Sequence, residues 1–266
     1  MISVPVPGSV PELSIIIPAY NEEGRLARTL ARIREYFAGR RVPPGMAPHI
    51  EMDQLEILIV DDGSKDGTAR IAEEWAQEMP AVRLVSNGEN RGKGYSVQHG
   101  MLEARGRLAL FTDADLSSPI EEIEKLLAAL AAGDDIAIGS RALDRSLISV
   151  HQSRHRELAG IIFNGFVRVI TGLPFSDTQC GFKIFRRERT RIIFEQQRIE
   201  RFGFDPEILF LAKRHGLRTA EVPVRWAHDA ATKVQVLRDS VMMFGDLLWI
   251  RWNGLLGRYP KKGDAR

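Results

Sequence analysis

RLALFTDADLSSPIEEIEKLLAALAAGDDIAIGSR, residues 107–141, decides the reading of the fold. An apolar run ends in two aspartates, Asp113 and Asp115, one residue apart. Ser118 is placed to cap a helix, Pro119 suits its first position, and acids fill its first turn, where they complement the helix dipole. Gly133 closes that pattern and DDIAIGSR begins a second apolar run. Strand, amphipathic helix and strand in immediate succession describe a crossover unit of a parallel sheet covered on both faces.

The same alternation extends outward. LSIIIPAYNE is a buried strand stopped by Pro18, and a helix pattern follows from Glu22 to about Phe37. AGRRVPPGMAPHIEMD is a Pro/Gly-rich loop insertion. LEILIVDDGSKDG is a second strand, with Asp66 or Thr68 placed to cap a helix ending near Met79. VRLVSN is a third strand, and NRGKGYSVQHGMLEARG turns into a helix that ends by Gly106. Beyond Arg141 the pattern is less regular. It predicts a helix from Ser153 to Thr171, a loop and short strand in TGLPFSDTQCGFKIF, a helix in RFGFDPEILFLAKRHG, a strand or hairpin in LRTAEVPVRWAH, and a last helix from Lys233 to Arg258. The expected organisation is a loose lead over residues 1–12, one catalytic-sized domain over 13–232, and an amphipathic helix with a basic tail over 233–266.

Composition excludes several classes. With 266 residues the chain can bury a sizeable core, and a formal net charge of +2 gives no general field for nucleic acid. A single cysteine, Cys180, excludes an internal disulfide and fits a reducing compartment. The N-terminus has no signal-peptide pattern, and no apolar run reaches membrane-spanning length. The expected location is the cytoplasm, or the cytoplasmic face of a membrane.

In such sheets ligands bind beyond the carboxyl ends of the strands. Three of these ends carry unusual chemistry here: PAYNE, VDDGS and TDAD. Strand periodicity directs Asp113 and Asp115 to one side, and a hard cation such as Mg²⁺ or Mn²⁺ takes carboxylates together with substrate phosphates. A solvated acidic turn is the competing explanation for that pair. Asp61 or Asp62 can accept hydrogen bonds from a base or ribose, or simply shape a turn. Lys93 is suited to neutralising a phosphate, although ENRGKG lacks the spacing of a P-loop. No GxGxxG follows the first strand, which disfavours a dinucleotide-binding enzyme.

IIIPAYNE, VDDGSKDGT, NRGKGYSVQHGM and FTDADLSSP, in this order and spacing, resemble the inverting family 2 glycosyltransferases of GT-A fold. GSRA, HRELAGIIFN, DTQCGFKIF, RFGFDPEIL and EVPVRWAH extend the likeness to the dolichyl-phosphate β-glucosyltransferase branch, related to the dolichyl-phosphate mannose synthases. The resemblance implies an α/β, mostly parallel Rossmann-like sheet with helices on both faces and a C-terminal amphipathic helix. It implies a UDP-glucose donor, a polyprenyl or dolichyl monophosphate acceptor and a Mg²⁺ or Mn²⁺ cofactor. It places Pro18, Ala19, Tyr20, Glu22, Asp61 and Lys93 at the nucleotide, and Asp113 and Asp115 on the metal and diphosphate. Arg141 and Arg156 fall at the phosphates, and Asp177, Gln179 and Lys183 by the sugar or acceptor. Asp115, Arg141 and Arg156 are then the candidate catalytic residues. Ser117 stands where some relatives place a glutamine, so a metal contact there is not expected.

Trp249, Trp252, Leu255, Leu256 and Tyr259, with Arg251, Arg258, Lys261 and Lys262, have the character of a segment lying at a membrane surface. Ile161, Ile162, Phe163, Phe166, Val167 and Ile170 form a second apolar cluster, either core or a groove for an acceptor chain. The alternatives are a GDP-mannose-dependent enzyme, a transferase with a soluble acceptor, and a non-catalytic nucleotide-sugar-binding protein.

Overall fold

The computed structural model describes residues 10–40, 50–150, 152–228 and 236–260, the side chains of 154–156 and 236–241 excepted. The described strands are β1 (Leu13–Ala19), β2 (Leu55–Asp61), β3 (Val82–Ser86), β4 (Leu108–Thr112), β5 (Ile136–Ser140), β6 (Ile148–Val150), β7 (Phe182–Arg186), β8 (Thr219–Pro223) and β9 (Trp226–Ala227). The helices are α1 (Leu26–Gly39), α2 (Thr68–Glu78), α3 (Lys93–Glu103), α4 (Ile123–Ala131), α5 (Arg154–Thr171), α6 (Arg187–Gln196), α7 (Phe204–Arg214) and α8 (Val236–Leu255).

Seven strands form one sheet in the order β3-β2-β1-β4-β7-β5-β8, and β6 with β9 forms a small second sheet. All main-sheet pairings are parallel except those of β7, which runs antiparallel between β4 and β5. Alternate residues of the strands feed two cores. Leu13, Ile15 and Ile17 pack with α1, α2 and α4 on one face. Ile16, Val60 and Phe111 pack with α3 and with α5 to α8 on the other. This two-sided burial explains why the strands read as unbroken apolar runs.

Three expectations change. The helix after TDAD does not start on a Ser118 cap: Ile120–Glu122 form a 3-10 turn first, and α4 begins at Ile123. Ser118 is buried, with its hydroxyl 3.8 Å from Cys180 Sγ. The charged stretch RRERTRIIFEQ contributes α6, which patterning did not single out. Tyr259 is fully buried, and its hydroxyl donates to Glu207 at 2.6 Å, so it is an anchor of the C-terminal segment rather than an interfacial aromatic. Residues 1–9 of the expected lead, 41–49 of the expected insertion and the tail from Lys261 lie outside the described residues.

Candidate functional site

The first two strand-end loops brace each other. Asn21 N–H donates to Ser64 Oγ (2.9 Å), Glu22 N–H to Thr68 Oγ1 (2.7 Å), and Lys65 N–H to Asn21 Oδ1 (2.8 Å). Asn21 has φ of 53°, a left-handed conformation that asparagine tolerates better than most residues. Asn21 and most of DDGSKDGT therefore shape the rim, while the rest of PAYNE is left to face into it. Asp62 organises the third loop, accepting from Asn87 Nδ2 (2.8 Å), Arg91 N–H (3.0 Å) and Gly92 N–H (2.8 Å).

These loops and the end of β4 enclose a cavity of about 330 Å³. Of the sequence-predicted residues it brings together Pro18, Ala19, Tyr20, Glu22, Lys93, Asp113 and Asp115. Asp61 is not in the wall: it is buried, and its carboxylate accepts from Ser64 N–H at 3.2 Å. Asp62 takes the wall position. Arg25, Asn90, Ser96, Arg201 and Phe202 also line the cavity and were not among the sequence candidates. Arg201 and Phe202 arrive from far along the chain, just before α7, and no local pattern marks them.

Asp113 and Asp115 sit in a turn just past β4, where Leu116 N–H closes on Asp113 C=O at 3.1 Å. The strand alternation persists into that turn. Ala114 points to the core, and its carbonyl accepts from Thr29 Oγ1 at 2.5 Å. Each carboxylate faces a cation: Lys93 Nζ lies 2.5 Å from Asp113 Oδ1, and Arg25 Nη1 lies 3.8 Å from Asp115 Oδ2. Burial, and then the charge of Asp113, push the Asp115 carboxyl above its ordinary range. A divalent cation would relieve that repulsion. Gly181 leaves the room: a Cβ there would overlap the Asp113 carboxylate, with its carbon 2.6 Å away. Two carboxylates on one wall fit a hard cation whose remaining ligands come from a substrate. Among the described residues no group of three or more acidic, histidine or cysteine side chains could hold a metal without such help.

A second cavity, of about 270 Å³, is lined by Arg141, Arg145, Asn164, Asp177, Gln179 and Trp226 among others. Arg141 is fixed there. Its Nε and Nη2 donate to the two oxygens of Asp177 at 2.6 and 2.8 Å, and its guanidinium lies 5.4 Å from the Trp226 ring centre. Burial opposes both charges of the pair, yet each remains ionised. The Arg141 pKa is raised, and that of Asp177 is brought down to about 2 by the guanidinium. Arg141 Nη1 keeps no hydrogen-bond partner among the described residues and is free to receive an anion. The two cavities are neighbours. Gln179 lines one, Gly181 touches Asp113 of the other, and Arg141 feels the charge of Asp113.

Lys183 belongs to neither cavity. It is fully buried, donating to Cys180 C=O and to Asp205 Oδ1, both at 2.6 Å. Its expected place by the sugar or acceptor is corrected to a structural ion pair beneath the site. Arg156 lies on α5, and its side chain is outside the described residues.

The profile of glycosyl transferase family 2 matches residues 14–193. A dolichyl-phosphate β-glucosyltransferase of Trichomonas vaginalis is 36% identical, across 90% of this chain and 72% of its own. The Dictyostelium discoideum protein of that name is 35% identical, across 94% and 77%. The human protein is 33% identical, across 93% and 77%. Among solved structures, glucosyl-3-phosphoglycerate synthase from Mycobacterium tuberculosis in complex with Mn²⁺, UDP and phosphoglyceric acid superposes with a TM-score of 0.61 at 18% identity, covering 95% of this chain and 80% of that one. Mannosyl-3-phosphoglycerate synthase from Rubrobacter xylanophilus gives 0.62 at 19% identity, covering 96% and 77%. These likenesses establish the GT-A fold.

Proposed function

The chain belongs to glycosyl transferase family 2, within its dolichyl-phosphate β-glucosyltransferases, and from that premise we propose that it transfers glucose from UDP-glucose to a polyprenyl or dolichyl monophosphate, with inversion at the anomeric carbon. One observation carries the reading. A cavity holding Asp113 and Asp115 adjoins a second one holding a fixed, partly unsatisfied Arg141. The first suits a nucleoside diphosphate sugar and the second an anionic acceptor.

Pro18, Ala19, Tyr20 and Glu22 form the nucleotide side of the first cavity, and Lys93 faces its acidic side. Asp113 and Asp115 would hold Mg²⁺ or Mn²⁺, which when bound would supply Lewis-acid stabilisation of the leaving diphosphate. Arg141, held in place by Asp177 and Trp226, presents its remaining N–H groups to the acceptor phosphate, and Gln179 lines the same wall. A phosphate monoester has a second pKa of about 6, so it arrives largely as a dianion and needs no general base. Its oxygen bonds to the anomeric carbon while the bond from that carbon to the diphosphate oxygen breaks, and the electron pair leaves with UDP.

A lipid acceptor requires contact with a membrane, and α5 and α8 offer the surface. Ile161, Ile162, Phe166 and Val169 on α5 are exposed beside Leu248, Trp252 and Leu255 on α8. Phe166 and Phe244 join the two helices edge to face at 5.2 Å. Among the described residues no helix is long and apolar enough to cross a membrane, so this contact is read as peripheral.

Calorimetry of UDP-glucose and GDP-mannose, each with and without Mn²⁺, tests the donor on native protein and on Asp115→Ala. The expected result is UDP-glucose binding that needs both metal and Asp115. Preference for GDP-mannose would reassign the sugar, and binding of neither would overturn the reading. The coupling constant of the product's anomeric proton reports inversion.

A further inference from the structure

In the donor cavity Lys93 lies 2.5 Å from Asp113, while Arg25, 3.8 Å from Asp115, is shared with Glu22. We propose that Lys93 is an exchangeable counter-charge. It holds Asp113 while the site is empty and moves to the diphosphate when donor arrives, so that cation and donor bind as a unit. The inference rests on the donor reading above.

The geometry gives Lys93 one mobile part. It is the first residue of α3, and the backbone around it is fixed. Gly92 has φ of 107°, and a Cβ there would lie 2.7 Å from Glu200 C=O. A Cβ on Gly94 would lie 2.6 Å from Ile199 C=O and 2.8 Å from Arg201 C=O, and Tyr95 N–H donates to Glu200 C=O at 2.9 Å. Only the four-carbon stem can move. Its ammonium contacts Asp113 and no second acceptor among the described residues, and it lines the same cavity as Asp115 and Arg25. Asp205 and Asp115 add to the field that holds it charged. Arg25 is tied down more firmly, because its Nε is also paired with Glu22.

Charge balance then dictates order. A divalent cation entering the empty site would meet the Lys93 ammonium already on Asp113, in a half-buried place where unbalanced charge is costly. The doubly negative diphosphate of a nucleotide sugar restores the balance. It also offers Lys93 an alternative anion, which frees Asp113 as a ligand. The empty protein therefore holds the cation weakly, and the donor strengthens that binding.

The test follows Mn²⁺ by the paramagnetic resonance of the free ion, with and without UDP, on the full chain and on Lys93→Met and Lys93→Arg. Wild-type protein is expected to bind Mn²⁺ weakly alone and more tightly with UDP. Lys93→Met should bind Mn²⁺ alone at least about tenfold more tightly, because one opposing charge has left the carboxylate. By reciprocity, the factor by which UDP strengthens Mn²⁺ binding should shrink. Lys93→Arg should keep wild-type behaviour. A merely structural lysine predicts the opposite sign, weaker Mn²⁺ binding in every state. Lys93→Met that binds UDP with Mn²⁺, but shows unchanged or weaker Mn²⁺ affinity alone, overturns the proposal. Lys93→Gln repeats the comparison if the methionine variant does not fold. Wild-type protein that binds no UDP even with Mn²⁺ overturns the donor reading itself, a result separable from the first.

Discussion

Gly181 shows how much of the site depends on an atom that is absent. It lies outside the TDAD motif, yet its missing side chain is what lets the Asp113 carboxylate point into the cavity beside Lys93. In Gly181→Ala the methyl group must push a short side chain aside while the core behind it stays intact. The expected outcome is a near-native unfolding midpoint with donor turnover down by about 10²-fold, the cost typical of a misplaced reacting group. Equal loss of fold and activity would contradict it. Asp177 makes a second prediction. Burial alone would raise its pKa, but Arg141 overrides burial and holds it at about 2. A lowered carboxylate stabilises the fold fully above its unfolded pKa of about 3.9 and loses that contribution as pH falls through the folded value. The stability difference between wild type and Asp177→Asn, on the order of 2 kcal/mol at neutral pH, should therefore shrink between about pH 4 and pH 2 in urea titrations. Asp113 and Asp115 were legible because spacing and residue type combine there. Asp61 and Lys183 were misplaced for one shared reason: sequence gives residue type at a strand or its end, but not which way the side chain turns. Asp61 turns back to Ser64 N–H, and Asp62, although it reaches the wall, spends its carboxylate on Asn87, Arg91 and Gly92. Lys183 turns into the core, where Asp205 compensates it.

At the scale of elements, the parallel half of the sheet was legible because its strands are buried on both faces and each is followed by an amphipathic helix. What sequence could not express is β7. An apolar run such as FKIF fits a parallel or an antiparallel neighbour equally well, and only the path of the chain through α5 brings it back between β4 and β5 in the opposite sense. That insertion has a functional result, since it carries Gln179, Cys180 and Gly181 to the side of Asp113. Helix α3 depends on close approach to the sheet. A Cβ on Gly100 would lie 2.8 Å from Val60 Cγ2 and overlap Ile16. Both neighbours are stiff, β-branched and fully buried, so the contact cannot relax cheaply. Gly100→Ala should lose about 1–3 kcal/mol in chemical denaturation, the usual cost of overpacking, despite the better helix propensity of alanine. Because α3 starts at Lys93, the same substitution should weaken UDP binding. A stabilised protein with unchanged binding would show that α3 does not set the lysine's position.

At the scale of the whole molecule, the proposed donor and acceptor cavities adjoin at the carboxyl rim, and the apolar face of α5 borders the second of them. Gly160 and Ile161 of α5 line the acceptor cavity, and Ile161 is also part of the exposed apolar face. One helix thus borders both the place where a phosphate would sit and the surface where its lipid chain would emerge. Val169 is 84% exposed and Leu255 is 66% exposed, an arrangement with no stabilising role in water and a favourable one against lipid. Burying one such side chain contributes about 1.5–3 kcal/mol. Val169→Glu combined with Leu255→Glu should therefore lower co-sedimentation with polyprenyl-phosphate-containing vesicles by about 10²-fold or more. The fold should survive, because both side chains already face solvent. UDP-glucose binding in solution should stay at the wild-type level, since neither residue lines the donor cavity. Transfer to a long-chain acceptor in vesicles should fall with sedimentation, while transfer to a short, soluble acceptor phosphate should not. Loss of both transfers together would place these residues in the catalytic fold instead of at its membrane surface. Unchanged sedimentation would leave α5 and α8 without a role in lipid contact and favour a soluble acceptor.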